Sequence, residues 1–359
     1  MSQSPLPGQG QPPVLVTGAS GYIAGWIIRY LLEEGYTVHG TVRDPDKKSS
    51  VGHLLAMAEK GPGTLKLFKA DLLTPGVFDA PMAGCGVVMH TASPFVLEGF
   101  TDANEALVRP ALEGTRNVLD AVNRCTSVHR VVLTSSVAAI YGDNCDIQSV
   151  PGKTFTEENW NTTSTVDHNP YQFSKTVAER EAWKMQEAQS RWNLVTINPA
   201  MVYGPSLTKG SQSASIDTLV KMGDGRLRTG VPRLNYGVVD VREVARAHLL
   251  AAFKPDAKGR HILNATELSM LDIARILRKR YGSAYPFPRM EVPTPMVWAF
   301  GPLFDRSVTR DFIRKNVGYR IRFDNRRSRE LGVAYRPAEE TFTEHFQQVL
   351  DDGLLRKKR

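Results

Sequence analysis

Val14-Leu15-Val16-Thr17-Gly18-Ala19-Ser20-Gly21-Tyr22-Ile23-Ala24-Gly25 decides how the rest of the chain reads. A short apolar run between Pro13 and Gly18 predicts a buried strand. Apolar residues at helical spacing then cover residues 22–34, and Gly35 stops them. Residues 36–42 alternate and are β-branched, which predicts a second strand and closes a βαβ unit of about 30 residues. In that setting the glycines carry meaning. Gly18 lets the chain turn sharply at the strand end, and Gly21 leaves room for a pyrophosphate against the backbone. The opening helix, with the N–H groups of Tyr22 and Ile23, offers free donors and a partial positive charge to phosphates. A ligand-free turn is the plainer reading of any glycine cluster; the strand before and the helix after weigh against it.

Outward from this unit the pattern repeats. Residues 65–69, 86–90, 128–134 and 194–198 read as strands, the last stopped by Pro199. Residues 104–123 and 171–189 read as helices. Alternating strands and helices predict an α/β fold, a doubly wound and mostly parallel sheet with helices on both faces. After Pro199 the alternation breaks up. Residues 206–215 are rich in Gly, Ser and Thr and read as a mobile loop. Residues 240–252 and 270–281 are helical, and 285–295 is Pro-rich. We expect a flexible lead-in over 1–12 and a dinucleotide-binding domain over 13–205, completed by 236–268. A smaller, mostly C-terminal substrate lobe then takes 206–235 and 269–350, followed by a basic tail over 351–359.

Composition narrows the class. With 359 residues, 42% of them hydrophobic, the chain can bury a large core. No apolar run approaches the roughly 20 residues of a membrane span, and residues 1–13 lack the basic start and apolar stretch of a signal peptide. Cys85, Cys125 and Cys145 are too few and too scattered for a disulfide framework or a metal site, so a cytoplasmic, metal-free protein is expected. The net charge of +8 is concentrated in residues 269–359, which hold 19 Lys+Arg against 11 Asp+Glu. Such a lobe either draws an anionic substrate or is a solvated surface, and the second reading is the commoner. No nucleic-acid-binding motif accompanies the charge.

The second strand ends in Thr41-Val42-Arg43-Asp44-Pro45, with Lys47-Lys48 just beyond. An NAD site places an acidic residue at this tip to take the ribose hydroxyls; a guanidinium there forks instead onto a 2′-phosphate, with Lys47 or Lys48 as a second cation. The expectation is NADP(H), against a reading of Arg43 as an ordinary surface charge. By position at strand C-termini, Asp71 and Leu72 fall near the adenine, and Thr91, Ala92 and Ser93 near the pyrophosphate and nicotinamide ribose.

Tyr171-Gln172-Phe173-Ser174-Lys175 sets a tyrosine and a lysine four apart on one helix face. A free phenol, with a pKa of about 10, is a poor acid–base group at neutral pH; a nearby ammonium is expected to lower it and fit it to exchange a proton with an alkoxide as hydride moves. The spacing alone is weak. Ser136, at the end of an upstream strand, strengthens it, because its hydroxyl can orient a carbonyl; strand-end capping is the plainer role for Ser135 and Ser136.

These stretches together resemble the extended short-chain dehydrogenase/reductases, and within them the dihydroflavonol 4-reductase-like group with its microbial aldehyde and ketone reductases. The resemblance spans residues 14–251. Besides the glycine segment it rests on His90-Thr91-Ala92-Ser93-Pro94, Pro110-Ala111-Leu112-Glu113-Gly114-Thr115-Arg116-Asn117-Val118-Leu119, Thr134-Ser135-Ser136 and Tyr171 to Glu179. Asn198-Pro199-Ala200-Met201-Val202-Tyr203-Gly204-Pro205 and Val239-Asp240-Val241-Arg242-Glu243-Val244 continue it. The resemblance implies a Rossmann domain, NADPH, and reduction of a carbonyl to an alcohol by Ser136, Tyr171 and Lys175. It also implies 2′-phosphate contacts from Arg43 and one of Lys47 and Lys48, and places Pro199 to Val202 beside the nicotinamide. Ala24 replaces a common third glycine. His168-Asn169-Pro170 departs from the Asn-Trp-Tyr-Cys signature of cinnamoyl-CoA reductases. Tyr141 stands where plant flavonoid reductases carry asparagine. Both departures direct attention to other carbonyl substrates. Val96, Leu97, Tyr141, Met201, Tyr203, Trp298 and Phe300 are the expected pocket lining, and a fairly apolar aldehyde or ketone the expected substrate of a monomer or homodimer. A redox-neutral nucleotide-sugar epimerase or dehydratase of the same superfamily is the alternative.

Overall fold

In the computed structural model, residues 7–93, 102–208, 214–304 and 308–355 are described. The first elements are β1 (Val14–Thr17), α1 (Tyr22–Glu33), β2 (Thr37–Val42), α2 (Lys48–Lys60), β3 (Thr64–Lys69), the single turn α3 (Asp79–Met82) and β4 (Val87–His90). After them come α4 (Arg109–Arg124), β5 (Arg130–Thr134), α5 (Pro170–Glu187), β6 (Asn193–Pro199) and β7 (Met201–Tyr203). The later part holds α6 (Ala214–Gly223), β8 (Val231–Pro232), β9 (Asn235–Asp240), α7 (Val241–Phe253), β10 (Gly259–Leu263), β11 (Thr266–Ser269), α8 (Met270–Tyr281) and β12 (Glu291–Val292). Helices α9 (Thr294–Phe304), α10 (Arg310–Asn316), α11 (Arg326–Leu331) and α12 (Ala338–Asp351) close the chain.

Seven strands form one sheet in the order β10-β6-β5-β4-β1-β2-β3, every neighbouring pair parallel. Alternation along the strands sorts side chains to the two faces. Val14, Val16, Val132, Val195 and Ile197 pack with α1 and α7 on one face; Leu15, Val88, Val131, Leu133 and Leu194 pack with α4 and the buried side of α5 on the other. The chain builds outward from β1 to β3, then returns to build from β4 to β6. The direction reverses between β1 and β4, which opens a crevice at their C-terminal ends where ligands of such folds bind.

A second core lies in the C-terminal lobe. Leu219, Met222, Ile273, Leu277, Phe342 and Phe346 gather α6, α8 and α12 under the small sheet β11-β9-β7. Tyr203 belongs to this core, fully buried against Phe342, with ring centroids 4.6 Å apart. It is packing, and the expectation of it as pocket lining is corrected. The sequence reading also lacked α2, which buries only Val51 and Leu54 and so has a faint apolar stripe. The helix expected over 104–123 begins as a π-helical turn, Asn104–Val108, before α4. Ser215, read as loop, lies in α6; residues 209–213 of that loop, and Val96 and Leu97, lie outside the described residues. Among the described residues no helix is long and apolar enough to cross a membrane.

Candidate active site

The crevice is built from Thr17 and Gly18 outward. The Thr17 hydroxyl accepts from the N–H groups of Thr91 (3.2 Å) and Ala92 (3.1 Å), and so gives its own proton to His90 Nδ1 (2.8 Å). Burial drives the His90 imidazole down to about 3, so it is neutral and free to accept. Thr91 Oγ1 in turn donates to the Thr17 carbonyl (2.5 Å). These bonds lock the ends of β1 and β4 together. Gly18 has φ +67°, and a Cβ there would stand 3.0 Å from Ala92 Cα, so both its conformation and the close approach require glycine.

At the mouth of α1, the N–H groups of Tyr22 and Ile23 cannot be satisfied by the helix itself. The Tyr22 side chain is another matter. Its hydroxyl donates to the Gly204 carbonyl (2.5 Å), and Trp26 Nε1 donates to Pro205 O (2.8 Å), so α1 clamps the chain after β7. Tyr22 therefore offers the crevice its backbone only. Asp71 Oδ1 accepts from Leu73 N (2.9 Å), which closes a turn. Leu72 fills the space over Gly114, and its carbonyl accepts from Asn117 Nδ2 (3.0 Å). Arg43, Lys47 and Lys48 are exposed, and their side chains make no hydrogen bond or ion pair with any described residue. A cradle that a Cβ would fill, helix N–H groups at the start of α1 and exposed cations at the β2 tip together fit a dinucleotide carrying an extra phosphate.

At the other end, three consecutive residues leaving β5 have three different partners. Thr134 Oγ1 bonds the His248 ring (2.7 Å), Ser135 Oγ bonds the buried Glu179 carboxylate, and Ser136 is bonded to the Tyr171 hydroxyl. Ser136 Oγ also accepts from Ala138 N (3.1 Å), so it caps a turn and meets Tyr171 at once. Tyr171 opens α5 behind Asn169, whose φ of +56° is held by bonds to Gly142 O and Asp143 Oδ1. One turn on, Lys175 is 9% exposed and donates to Ser93 Oγ (3.2 Å). Burial lowers the Lys175 ammonium to about 8, with Glu179 pulling it up. The phenol is not lowered as expected from its neighbour: burial raises Tyr171 to about 12, against the Ser136 hydrogen bond. Desolvation outweighs that hydrogen bond because the phenol sits in a low-dielectric wall. Pro199 is buried at the end of β6, one residue after Asn198, whose Nδ2 donates to the Ser136 carbonyl (3.2 Å), and Val202 of β7 is half-buried.

The other expected lining residues have the following surroundings. Tyr141 stacks on Phe155 with centroids 4.7 Å apart, and burial raises its phenol. Trp298 and Phe300 project from α9 at 48% and 52% exposure, Trp298 under the Arg310 guanidinium. The basic lobe forms a cleft of about 510 Å³ lined by Arg233, Arg275, Arg320 and Arg322. Arg233 is paired with Glu291 and Arg275 with Asp272, and the cleft shares no residue with Ser136, Tyr171 or Lys175. Sequence reasoning gave no role to Thr17, Asn198, Glu179 or Arg260; their partners are far along the chain, and no local pattern signals them.

The model of the NAD dependent epimerase/dehydratase family matches residues 14–265. The chain belongs to this family. It is 41% identical to cinnamoyl-CoA reductase CAD2 of Medicago truncatula over 276 residues, 75% of this chain and 81% of that one. It is 36% identical to a (2S)-flavan-3-ol-forming anthocyanidin reductase of Vitis vinifera over 297 residues, 79% and 84% of the two chains. The crystal structure of Gre2 from Candida albicans in complex with NADPH superposes with a TM-score of 0.75 at 29% identity, over 95% of this chain and 99% of that one.

Proposed function

We propose that this family member is an NADPH-dependent carbonyl reductase, converting an aldehyde or ketone reversibly to an alcohol. The observation that carries the reading is the contact of Ser136 with Tyr171, with Lys175 one helical turn away on the same face. Reductase relatives and the NADPH-bound neighbour support it. The bound cofactor supplies the hydride to the carbonyl carbon. Ser136 donates to the carbonyl oxygen and orients it. Tyr171, protonated at neutral pH because burial holds its phenol near 12, delivers its proton to the oxygen as negative charge develops there. The Lys175 ammonium then faces a phenolate, the partner that repays its own burial, and also holds the ribose hydroxyls. Gly18, Gly21 and the N–H groups of Tyr22 and Ile23 take the pyrophosphate. Thr91, Ala92, Ser93, Pro199 and Val202 flank the nicotinamide half, Asp71 and Leu72 the adenine, and Arg43 with Lys47 or Lys48 the 2′-phosphate.

The test follows NADPH absorbance with purified protein and a panel of aromatic and aliphatic aldehydes and ketones, with Tyr171→Phe as control. Consumption by the wild type and not by the variant is expected. If NADPH binds yet neither protein consumes it, the reductase reading fails and the redox-neutral sugar-modifying alternative replaces it.

A further inference from the structure

Tyr171, Lys175 and Glu179 fall at four-residue steps on α5, so they share one face. Glu179 is fully buried, and both oxygens of its carboxylate are hydrogen-bonded. Oε1 accepts from Arg260 Nε (2.6 Å), Thr196 Oγ1 (3.2 Å) and Trp183 Nε1 (3.3 Å); Oε2 accepts from Asn198 Nδ2 (2.7 Å) and from Ser135. Arg260, on β10, is equally enclosed. It donates to the carbonyls of Glu157 (2.8 Å), Asn159 (2.6 Å) and Ala139 (3.2 Å) and lies 3.8 Å over the Trp160 ring. A buried ion pair is a poor way to gain stability, since well-packed apolar side chains of the same size serve as well or better. This pair, however, has two links to the candidate catalytic group. Asn198 Nδ2 bonds both Glu179 and the Ser136 carbonyl (3.2 Å), and Glu179 and Lys175 line one small pocket together with His90, Ser93 and Ser135.

We propose that Glu179 is a positioning residue: its carboxylate fixes the strand end that presents Ser136 and supplies the counter-charge of Lys175. The proposal rests on the reductase reading for its functional meaning. The sign of the electrostatic part is clear from the neighbours. His90 of β4 is neutral, Tyr171 is a protonated phenol, and Arg260 stands behind Glu179 with the wrong sign to help an ammonium. Burial alone pushes Lys175 down, and Glu179 is the charge that opposes it.

The experiment titrates the ε-carbon of isotope-labelled Lys175 by magnetic resonance in the full chain, its signal assigned by loss in Lys175→Arg. Glu179→Gln keeps the shape and removes the charge. Its Lys175 midpoint should fall by about one pH unit, and the alkaline limb of turnover with it. Glu179→Asp should restore both. Asn198→Ala cuts the link to Ser136 and leaves the charge, so kcat should fall about tenfold with the NADPH KM and the lysine midpoint unchanged. A folded Glu179→Gln protein with an unmoved midpoint overturns the counter-charge, and an unchanged kcat in Asn198→Ala overturns the positioning. If Glu179→Gln does not fold because Arg260 is stranded, Glu179→Gln/Arg260→Gln is measured beside Arg260→Gln, and a midpoint no lower in the double variant overturns the counter-charge. A wild type that reduces no carbonyl sinks the reductase reading alone, because the lysine titration needs no turnover.

Discussion

The two ends of the crevice are built in opposite ways. At the end proposed for hydride transfer, Lys175 is buried and bonded to Ser93, Ser136 meets Tyr171, and Thr134 and Ser135 are each tied to a different helix. At the end proposed for the 2′-phosphate, Arg43, Lys47 and Lys48 stand in solvent with no bond to a described residue. The contrast follows from what each end must do. Proton transfer needs atoms within about 3 Å in fixed orientation, and only a packed wall holds them so. Holding a phosphate needs opposite charge within reach, and long cationic side chains close on it when it arrives.

The largest effect should come from the rigid end. Tyr171→Phe removes the transferable proton without changing the fill of the wall. Turnover should drop about 10²- to 10⁴-fold while NADPH affinity holds and stability falls by no more than the worth of the one hydrogen bond to Ser136. A loss below tenfold would mean that the packed end is scaffold and the acid lies elsewhere. At the exposed end Arg43→Ala should weaken NADPH about ten- to hundredfold and leave NADH unchanged, as loss of a charge-assisted contact predicts. Raised salt should likewise weaken NADPH binding in the wild type and much less in the variant, since the exposed cations are screened. Equal losses for both cofactors would erase the contrast by making Arg43 a general support.

Acid–base behaviour sharpens the rigid end further. Lys175 loses its proton at about 8, and the phenolate formed in reduction then has no ammonium beside it. The rate should therefore be flat below that pH and fall about tenfold per unit above it, a limb absent from NADPH binding at the Arg43 end. A flat profile to pH 10 would assign Lys175 a purely structural role.

What the sequence revealed follows the same division. Motifs that lie within a few residues were legible: the turn at Gly18, the Tyr171–Lys175 step, the tip cation Arg43 and the strand-by-strand plan of the main sheet. What escaped depends on contacts between distant segments. The Glu179–Arg260 pair joins residues 81 apart, and Asn198 bridges to Ser136 across 62. The place of Tyr203 escaped for the same reason. Tyr203 and Trp298 look alike as apolar aromatics in a sequence, yet one fills the C-terminal core and the other projects from α9. The raised Tyr171 phenol is a further case, since spacing shows a neighbouring ammonium and conceals the burial that sets the direction of the shift.

The smallest predicted effect tests the boundary between the two ends. Tyr22 opens α1, beside the turn at Gly18, and a motif reading makes the whole residue a cofactor contact. Its phenol instead reaches Gly204 O, across 182 residues, and burial raises its pKa well above the ordinary value. Tyr22→Phe should therefore cost about 0.5–1.5 kcal/mol in urea denaturation, the ordinary worth of one hydrogen bond, and leave NADPH affinity within twofold. The backbone N–H at this position, which the substitution does not touch, is what the pyrophosphate would use. If NADPH instead weakens as much as in Arg43→Ala with no change in stability, the Tyr22 ring leaves Gly204 when the dinucleotide binds. The clamp from α1 to the chain after β7 would then belong to the cofactor-binding end of the crevice.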